Sequence, residues 1–553
     1  MKTPRAAYIA LTLIGLTQAM SMVDRQILAI LLPRIKADLH VGDAEMGLLY
    51  GSVFALFYAL FSLPLGRLAD GWKRGRLIAV SIAVWSAMTA LGGLASSFST
   101  LAFSRLGVGI GEASVQPAGF SLLSDYFPQS RRGTVTAVIA AAIAFGLGMA
   151  LWIGGASADY WDVAYRHTVA PFGLKGWQAA FMIAAVPGLI LSVFLWRMAE
   201  PERGAADGIT QVPDPAPFRA SWETFASLVP GLNWLTLARL RANRATWVIN
   251  LCGLGIIIGS MHALTLWTNS LRKHPPAPIQ LGNFALSGNA LQWMVTGFGL
   301  YVMLNWLQVL RLRDKPCFAI IAQTPSLILL FTIAALQSIV NYSIMGWSPA
   351  FLIKTYHLTA TQVGAVFGPL AAGIGVVGPM IAGPLSDWLN ARFRSGRMYI
   401  TLAALTLSPF IGWFVYHANT PREFYVAFTI YSLSLTMWLP PLYAAFMDLA
   451  LPRMRGSVVS FYILTMTIFG LGLGPYTVGL ISDLNGGNLG AAILSIYWVG
   501  PFIVALVLAL IWVLPKDEAT VISRAQAAGE PIESAIPIAA QWASQERRPS
   551  HKG

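Results

Sequence analysis

The sequence predicts an all-α membrane protein made of two six-helix bundles plus two inserted helices, about 14 transmembrane helices in all. Three observations predict it. The chain is 56% apolar and only 11% charged over 553 residues, too little polar surface to cover a soluble core of that size. Its apolar residues fall in runs of about 20 or more, the length that crosses about 30 Å of hydrocarbon with every backbone group paired inside its own helix. Finally, three landmarks recur in one order. Asp70 and Asp387 each lie 23 residues after a glycine, Gly47 and Gly364, at an offset of 317. Asp125 with Arg132-Gly133-Thr134-Val135 returns as Asp448 with Arg455-Gly456-Ser457-Val458 at 323, and Phe145-Gly-Leu-Gly with Asp159 returns as Phe469-Gly-Leu-Gly with Asp483 at 324. This is an internal duplication, two halves related as parallel repeats.

The first half supplies six spans: Ala6 to Leu32, Met46 to Leu65, Leu77 to Ser97, Leu101 to Phe127, Thr134 to Ala156 and Trp177 to Met198. The start of the first imitates a signal peptide, with Ala19-Met20-Ser21 as a loose cleavage site. The run is too long for that and continues past Asp24-Arg25, so it is expected to stay as a helix. The second half supplies Phe318 to Trp347, Val363 to Leu385, Met398 to Tyr416, Glu423 to Met447, Ser457 to Ile481 and Gly490 to Leu514. Between them, Asp214-Pro-Ala-Pro217 reads as loop and Trp222 to Arg241 as a surface-lying amphipathic stretch. Ala245 to Thr268 and Ala290 to Leu310 are each long enough to cross, although Asn250, His262 and Asn305 weaken the signal and leave a flat or re-entrant placement as the rival reading. The chain thus divides into 1–203, a six-helix half; 204–316, the insertion; 317–514, the second half; and 515–553, a polar tail expected to be disordered. Both halves have their six spans without the insertion, so the inserted pair is expected to be peripheral.

The net charge of +13 sits in short loops rather than on an aromatic-interleaved patch, which argues for topology and against a nucleic-acid partner. Thirteen Lys and Arg lie in the short segments on the side of the N-terminus, Arg67, Lys73, Arg74, Arg76 and Arg132 among them, against eight on the other. Both termini are therefore expected in the cytoplasm of a multi-pass plasma-membrane protein, the inner membrane if the cell is Gram-negative. Cys252 and Cys317 have no framework spacing, so neither a disulfide nor a zinc site is supported. No catalytic, metal or cofactor constellation is found. The seven histidines are scattered singly, and there is no P-loop and no GxGxxG after a strand.

The chemistry lies in two places. The first is the repeated basic loop, Gly66-Arg-Leu-Ala-Asp70-Gly-Trp-Lys-Arg74-Gly-Arg76 and its copy from Gly383 to Arg397. Its carboxylates can pair with arginines or with helix N-termini. Asp70, Arg74, Asp125 and Arg132, with Asp387, Asp448 and Arg455, are the expected cytoplasmic gate; the plainer alternative, that the arginines only orient the chain, does not explain duplicated aspartates. The second is the set of ionisable residues inside the spans, which are costly and functional by default. Arg105 and Glu112 are seven residues apart, on one helix face and about 10 Å apart along the axis. Asp24 and Arg25 lie at an intermediate depth on the first span. Their duplicates are Asn341, Tyr342, Phe428 and Leu435, none of them charged. The asymmetry points to an acid–base cluster in the first half facing a neutral, aromatic wall. Asp24 and Glu112 are the expected proton-coupling residues, and Arg25, Arg105, Asn341 and Tyr342 the expected substrate-binding ones. A purely structural ion-pair set is the alternative, and His262 reads more readily as a packed residue than as a ligand.

The loop Gly66 to Arg76 resembles the signature loop between the second and third helices of the major facilitator superfamily, and Asp125 with Arg132-Gly133 resembles its partner loop. Asp24-Arg25-Gln26, Arg105-Leu-Gly-Val-Gly-Ile-Gly-Glu112-Ala113, Ser124-Asp-Tyr-Phe-Pro128 and Trp347-Ser-Pro-Ala-Phe-Leu352 are similar to the spinster-like branch. The resemblance implies a secondary transporter working by alternating access, for a lysolipid-like or other amphipathic organic anion. Protons, membrane lipids and that small molecule are the expected partners, and the chain is expected to act as a monomer without cofactor. The chain departs from the pattern in carrying Lys73 where the loop usually has glycine, and in the inserted pair, which twelve-helix spinster-like proteins lack. The Gly-Pro before Gly154-Gly155 that drug antiporters carry is absent, Ala150-Leu151 standing there instead. A facilitative or sodium-coupled exporter of drugs or organic anions, a membrane-embedded lipid-modifying enzyme and a transport-derived sensor are the other classes weighed.

Overall fold

A backbone in hydrocarbon has no water to pair with, so each long apolar run closes its hydrogen bonds as a helix. The computed structural model describes residues 5–127, 132–203, 216–272, 278–281, 284–451 and 454–530. The first half comprises α1 (Arg5–Leu39), α2 (Asp43–Tyr50), α3 (Ser52–Gly71), α4 (Arg74–Gly93), α5 (Phe98–Glu112), α6 (Val115–Tyr126), α7 (Arg132–Ala164) and α8 (Gly176–Trp196). The insertion follows as α9 (Pro217–Leu228), α10 (Leu232–Arg239), α11 (Arg244–Leu271), a two-stranded antiparallel hairpin of β1 (Ile279–Leu281) and β2 (Phe284–Leu286), and α12 (Gly288–Arg313). The second half comprises α13 (Lys315–Gln323), α14 (Pro325–Tyr356), α15 (Ala360–Asn390), α16 (Gly396–Tyr416), α17 (Pro421–Met437), α18 (Leu439–Asp448), α19 (Arg455–Thr465), α20 (Gly472–Leu484), α21 (Leu489–Ser495) and α22 (Gly500–Ala527).

Among the described residues twelve helices or helix pairs are long and apolar enough to cross a membrane, including α11 and α12. Two further crossings are each split in two: α5–α6, of 15 and 12 residues, and α17–α18, of 17 and 10. Together they make the expected fourteen. Each split has a proline cause. Pro117 offers no N–H to the Ala113 carbonyl, and Pro440 and Pro441 remove two donors just after Trp438. α5 therefore ends at Glu112 itself. Helix α22 runs to Ala527, past the expected boundary at Leu514, while 531–553 lie outside the described residues.

The halves meet at the face opposite the basic loops, called here the far face. There the backbones touch in two equivalent seams. A Cβ on Gly47 would stand 2.4 Å from the Pro475 carbonyl oxygen, and one on its duplicate Gly364 would stand 2.3 Å from that of Leu151. Gly479 against Asp43 and Gly155 against Ala360 repeat the pattern at 2.3 and 2.5 Å. Toward the basic-loop face, Gly383 and Gly456 have nothing within 4 Å. The core follows the same division. One continuous apolar cluster joins both halves through Ile344, Trp347, Val363, Phe367 and Val478, whereas Leu327, Leu330, Leu442, Phe446 and Leu510 form a second cluster near the basic loops that takes in no described residue of the first half. The molecule is closed at the far face.

The insertion is not peripheral, contrary to the expectation. Helix α11 is lipid-facing for most of its length, but α12 lies in the seam between α3 and α20 and bonds to both halves: Gln292 donates to the Gly472 carbonyl at 3.1 Å, Ser52 donates to Gln292 at 2.5 Å and Tyr476 donates to Asn289 at 2.8 Å. Asn289 and Gln292 make these bonds, whereas Asn305, which weakened the apolar signal of α12, bonds inside the insertion, donating to the Leu228 carbonyl at 2.9 Å. His262 is exposed on α11.

Candidate functional site

Four charged side chains of the first half converge where α1 crosses α5. Arg25 Nε meets Glu112 Oε2 at 2.5 Å, and Ser21 donates to the same oxygen at 2.8 Å. The Arg25 guanidinium lies 4.8 and 4.6 Å from the ring centres of Phe54 and Tyr58 on α3, a cation–π cradle. Asp24, one residue away, points elsewhere: the indole of the fully buried Trp85 donates to its Oδ2 at 2.9 Å. Arg105 does not reach that carboxylate but donates from Nη1 to the Asp24 backbone carbonyl at 2.8 Å. Thus Arg105 and Glu112 share a face without pairing, and the charge pair joins α1 to α5 instead.

Solvent access separates the roles. The Glu112 side chain is 0% exposed and that of Arg25 21%, so a solute could reach Arg25 while Glu112 sits behind it. Arg105 is sealed in this state and holds the α1 backbone through the Asp24 carbonyl. Three buried polar atoms in the cluster lack a hydrogen-bond partner among the described residues: Glu112 Oε1, Asp24 Oδ1 and Arg105 Nε. Such orphans are expensive in a closed interior. A proton or a moving partner would satisfy them in another state of the cycle.

The opposing wall is neutral. Asn341 engages Gln337 and, depending on the turn of its amide, the Leu435 carbonyl or the Trp438 indole. Tyr342 is half-buried within electrostatic reach of Arg25. Phe428 and Leu435 are buried.

Where both partners are described, the loop residues form ion pairs inside each half. Arg74 bonds Asp125 at 2.5 Å, Glu200 at 2.9 Å and Ser121 at 3.0 Å, and Arg397 pairs with Asp387 at 3.2 Å and with Asp448. Arg455 is exposed. The side chains of Asp70 and Arg132 lie outside the described residues. Arg397 stands to the second half as Arg74 does to the first, at the 323-residue offset, and the longer second loop hid that match from a count made on Asp70.

Two of the contacts that cross the molecule are made by residues seen in the sequence only as landmarks. Asp483 accepts from the backbone N–H of Asp43 at 2.8 Å and of Ala44 at 3.0 Å, capping the N-terminus of α2. Its duplicate Asp159 accepts from the backbone N–H and hydroxyl of Thr361 at 2.8 and 2.5 Å, capping α15. Arg34 pairs with Asp159, and Arg272 of the insertion bonds Glu45 at 2.8 Å and Asp483 at 2.9 Å. Nothing about Arg272 in the sequence, one of two adjacent basic residues with Lys273 in a loop, marked it for this role.

A two-half bundle with a charged centre in one half and paired seams at one face is the architecture of a known family of carriers, and the family model described as Major Facilitator Superfamily matches residues 14–307. The chain belongs to the major facilitator superfamily. Among curated relatives, an MFS-type efflux pump of Mycolicibacterium smegmatis is 26% identical over 89% of this chain and 88% of its own. The protein spinster of Drosophila melanogaster is 26% identical, and the sphingosine-1-phosphate transporter of Danio rerio 29%, each over 37% of this chain and 31% and 38% of their own lengths. In structure, this superfamily member is similar to a bacterial homologue of the human lysosomal transporter Spinster, crystallised inward-facing and unoccupied, with a TM-score of 0.63 at 20% identity over 96% of this chain and all of that one. It is a multi-pass membrane transporter, similar to spinster proteins.

Proposed function

We propose that the protein is a proton-coupled secondary transporter for an amphipathic or organic anionic small molecule, lysolipid-like in character, with both termini in the cytoplasm of the plasma membrane and the basic loops facing inward. The observation that carries this reading is the Arg25–Glu112 pair: a sealed carboxylate with one orphaned oxygen, held by a cation that a solute can reach. An anion drawn to Arg25 competes with Glu112 for the guanidinium. Glu112 then rids itself of an unpaired buried charge by taking a proton, and the substrate and proton leave together or in exchange. The neutral wall of Tyr342 and Asn341 suits the apolar part of such a solute. Asp24, bonded by an indole rather than by a cation, is the second proton site.

Reconstituted into liposomes, Glu112→Gln and Asp24→Asn are expected to fold and to retain substrate exchange while losing accumulation driven by a pH gradient. Gradient-driven accumulation that survives both substitutions would defeat proton coupling through this cluster. The relative named as an efflux pump aligns over nearly the whole chain, and it favours export as the direction.

A further inference from the structure

The insertion builds a second charged site at the basic-loop face, away from the transport centre. Helix α9 is pinned along the end of α3, with Phe225 5.2 Å from Phe61, Phe218 5.3 Å from Trp72, and Ser221 donating to the Pro64 carbonyl at 2.8 Å. Helix α10 is anchored to α11 and α12 by a buried polar network: Asn233 donates to Asn305 at 2.9 Å, Asn250 to Gln308 at 2.6 Å, and Tyr301 to Asn250 at 2.7 Å. Between these fixed helices and the end of α12 lies a cavity of about 390 Å³ lined by Arg219, Trp222, Glu223, Thr236, Arg239 and Arg313. Arg219 spends its charge on Glu223, 3.1 Å away, while Arg239 and Arg313 make no ion pair among the described residues. Three arginines and one glutamate leave a charge of 3 − 1 = +2 in a cavity. Around it, the segments 216–244 and 311–315 carry seven basic residues against the acids Glu223 and Asp314.

The apolar side chains beside it show what kind of anion fits. Phe218 and Trp222 on α9 are each 58% exposed, as are Leu235 on α10 and Val248 on α11, the helices that carry or adjoin these arginines. A site with guanidiniums at one level, an indole at its rim and exposed apolar side chains alongside matches a molecule with a phosphate head and acyl tails.

We propose that this pocket binds the headgroup of an anionic phospholipid, its phosphate held between Arg239 and Arg313 and its acyl chains lying along α9 and α11. The lipid would fix the amphipathic helices to the bilayer surface and, through them, set the position of α12. This site shares no residue with the transport centre and does not depend on the substrate proposed for it. Both arginines are exposed, so Arg239→Gln/Arg313→Gln is expected to fold. In native mass spectrometry of the full chain titrated with phosphatidylglycerol, the wild type should retain one more lipid than the double variant at equal collisional activation, with no such difference for phosphatidylcholine. Equal retention of phosphatidylglycerol by the two proteins overturns the proposal. So does displacement of the extra lipid by millimolar glycerol phosphate, which would make the pocket a site for a soluble anion.

Discussion

A single side chain decides how the centre can work. Among the described residues Arg25 is the only basic group bonded to Glu112, and it makes that bond from a position open to solute, so its removal would leave the Glu112 charge with no counterion bonded to it and the Ser21 hydroxyl as its remaining partner. Stripping one partner from a buried pair costs about 3–5 kcal/mol. Arg25→Ala is therefore expected to lower the thermal midpoint of the purified protein. The sign of its pH dependence follows: the penalty falls on the ionised carboxylate, so the deficit relative to wild type should shrink as the pH is lowered and protonated Glu112 becomes the main form. Adding Glu112→Gln to Arg25→Ala should restore much of the loss at neutral pH. Equal deficits at all pH values would mean that Arg25 stabilises by packing on Phe54 and Tyr58 instead. At this scale the sequence was informative about which residues matter and silent about their pairing. Charges inside apolar runs are visible in a string; that Asp24 turns to Trp85 while its neighbour turns to Glu112 depends on the rotation of α1 against α4 and α5, which no spacing along one helix encodes.

Among the elements, the insertion departs most from what the chain suggested. Its hydropathy gives two spans and nothing more, because a residue such as Gln292 weakens an apolar run equally whether it faces lipid or bonds to a neighbour. In the structure α12 is a strap across the seam between α3 and α20, and Arg272 pins the far end of α11 to both halves through Glu45 and Asp483. Arg272→Gln should thus loosen closure at the far face. A reporter cysteine at Ala37 or Ala350, in the cavity of about 460 Å³ that opens there between α1 and α14, in a Cys252→Ser background, should react several-fold faster with an impermeant maleimide when Arg272 is replaced. An unchanged rate would reduce Arg272 to a packing residue. Deletion of Ala245 to Arg313, which a peripheral pair would survive, is expected to destabilise the far-face closure.

For the whole molecule, the duplication was legible and its consequence only partly so. Gly47 and Gly364 were found by counting, but their use as the places where one half's backbone lies on the other's emerges only when the seams are assembled. The same is true of Asp159 and Asp483, whose partners are helix N-termini some 200 and 440 residues away in the chain. The glycines give a clean test. Gly47→Ala or Gly364→Ala puts a methyl group where a carbonyl oxygen already lies, so each should shift the population toward far-face opening and raise labelling at Ala37→Cys, whereas Gly383→Ala, with nothing within 4 Å, should leave it unchanged.

The two seams are built alike but bound unequally, and a binder would recognise the result. The α2–α20 seam carries α12 along it like the spine of a book, while among the described residues the side-chain bonds across the α7–α15 seam are those of Asp159 to Thr361, with Arg34 held on the same aspartate. Such an object opens at its fore-edge. When the far face parts, the distance between residues 159 and 361 should grow more than that between 43 and 483, measurable with paired spin labels. The resulting slit would lie on one flank only, and a guest too long for the interior could leave its tail trailing through it into the surrounding lipid.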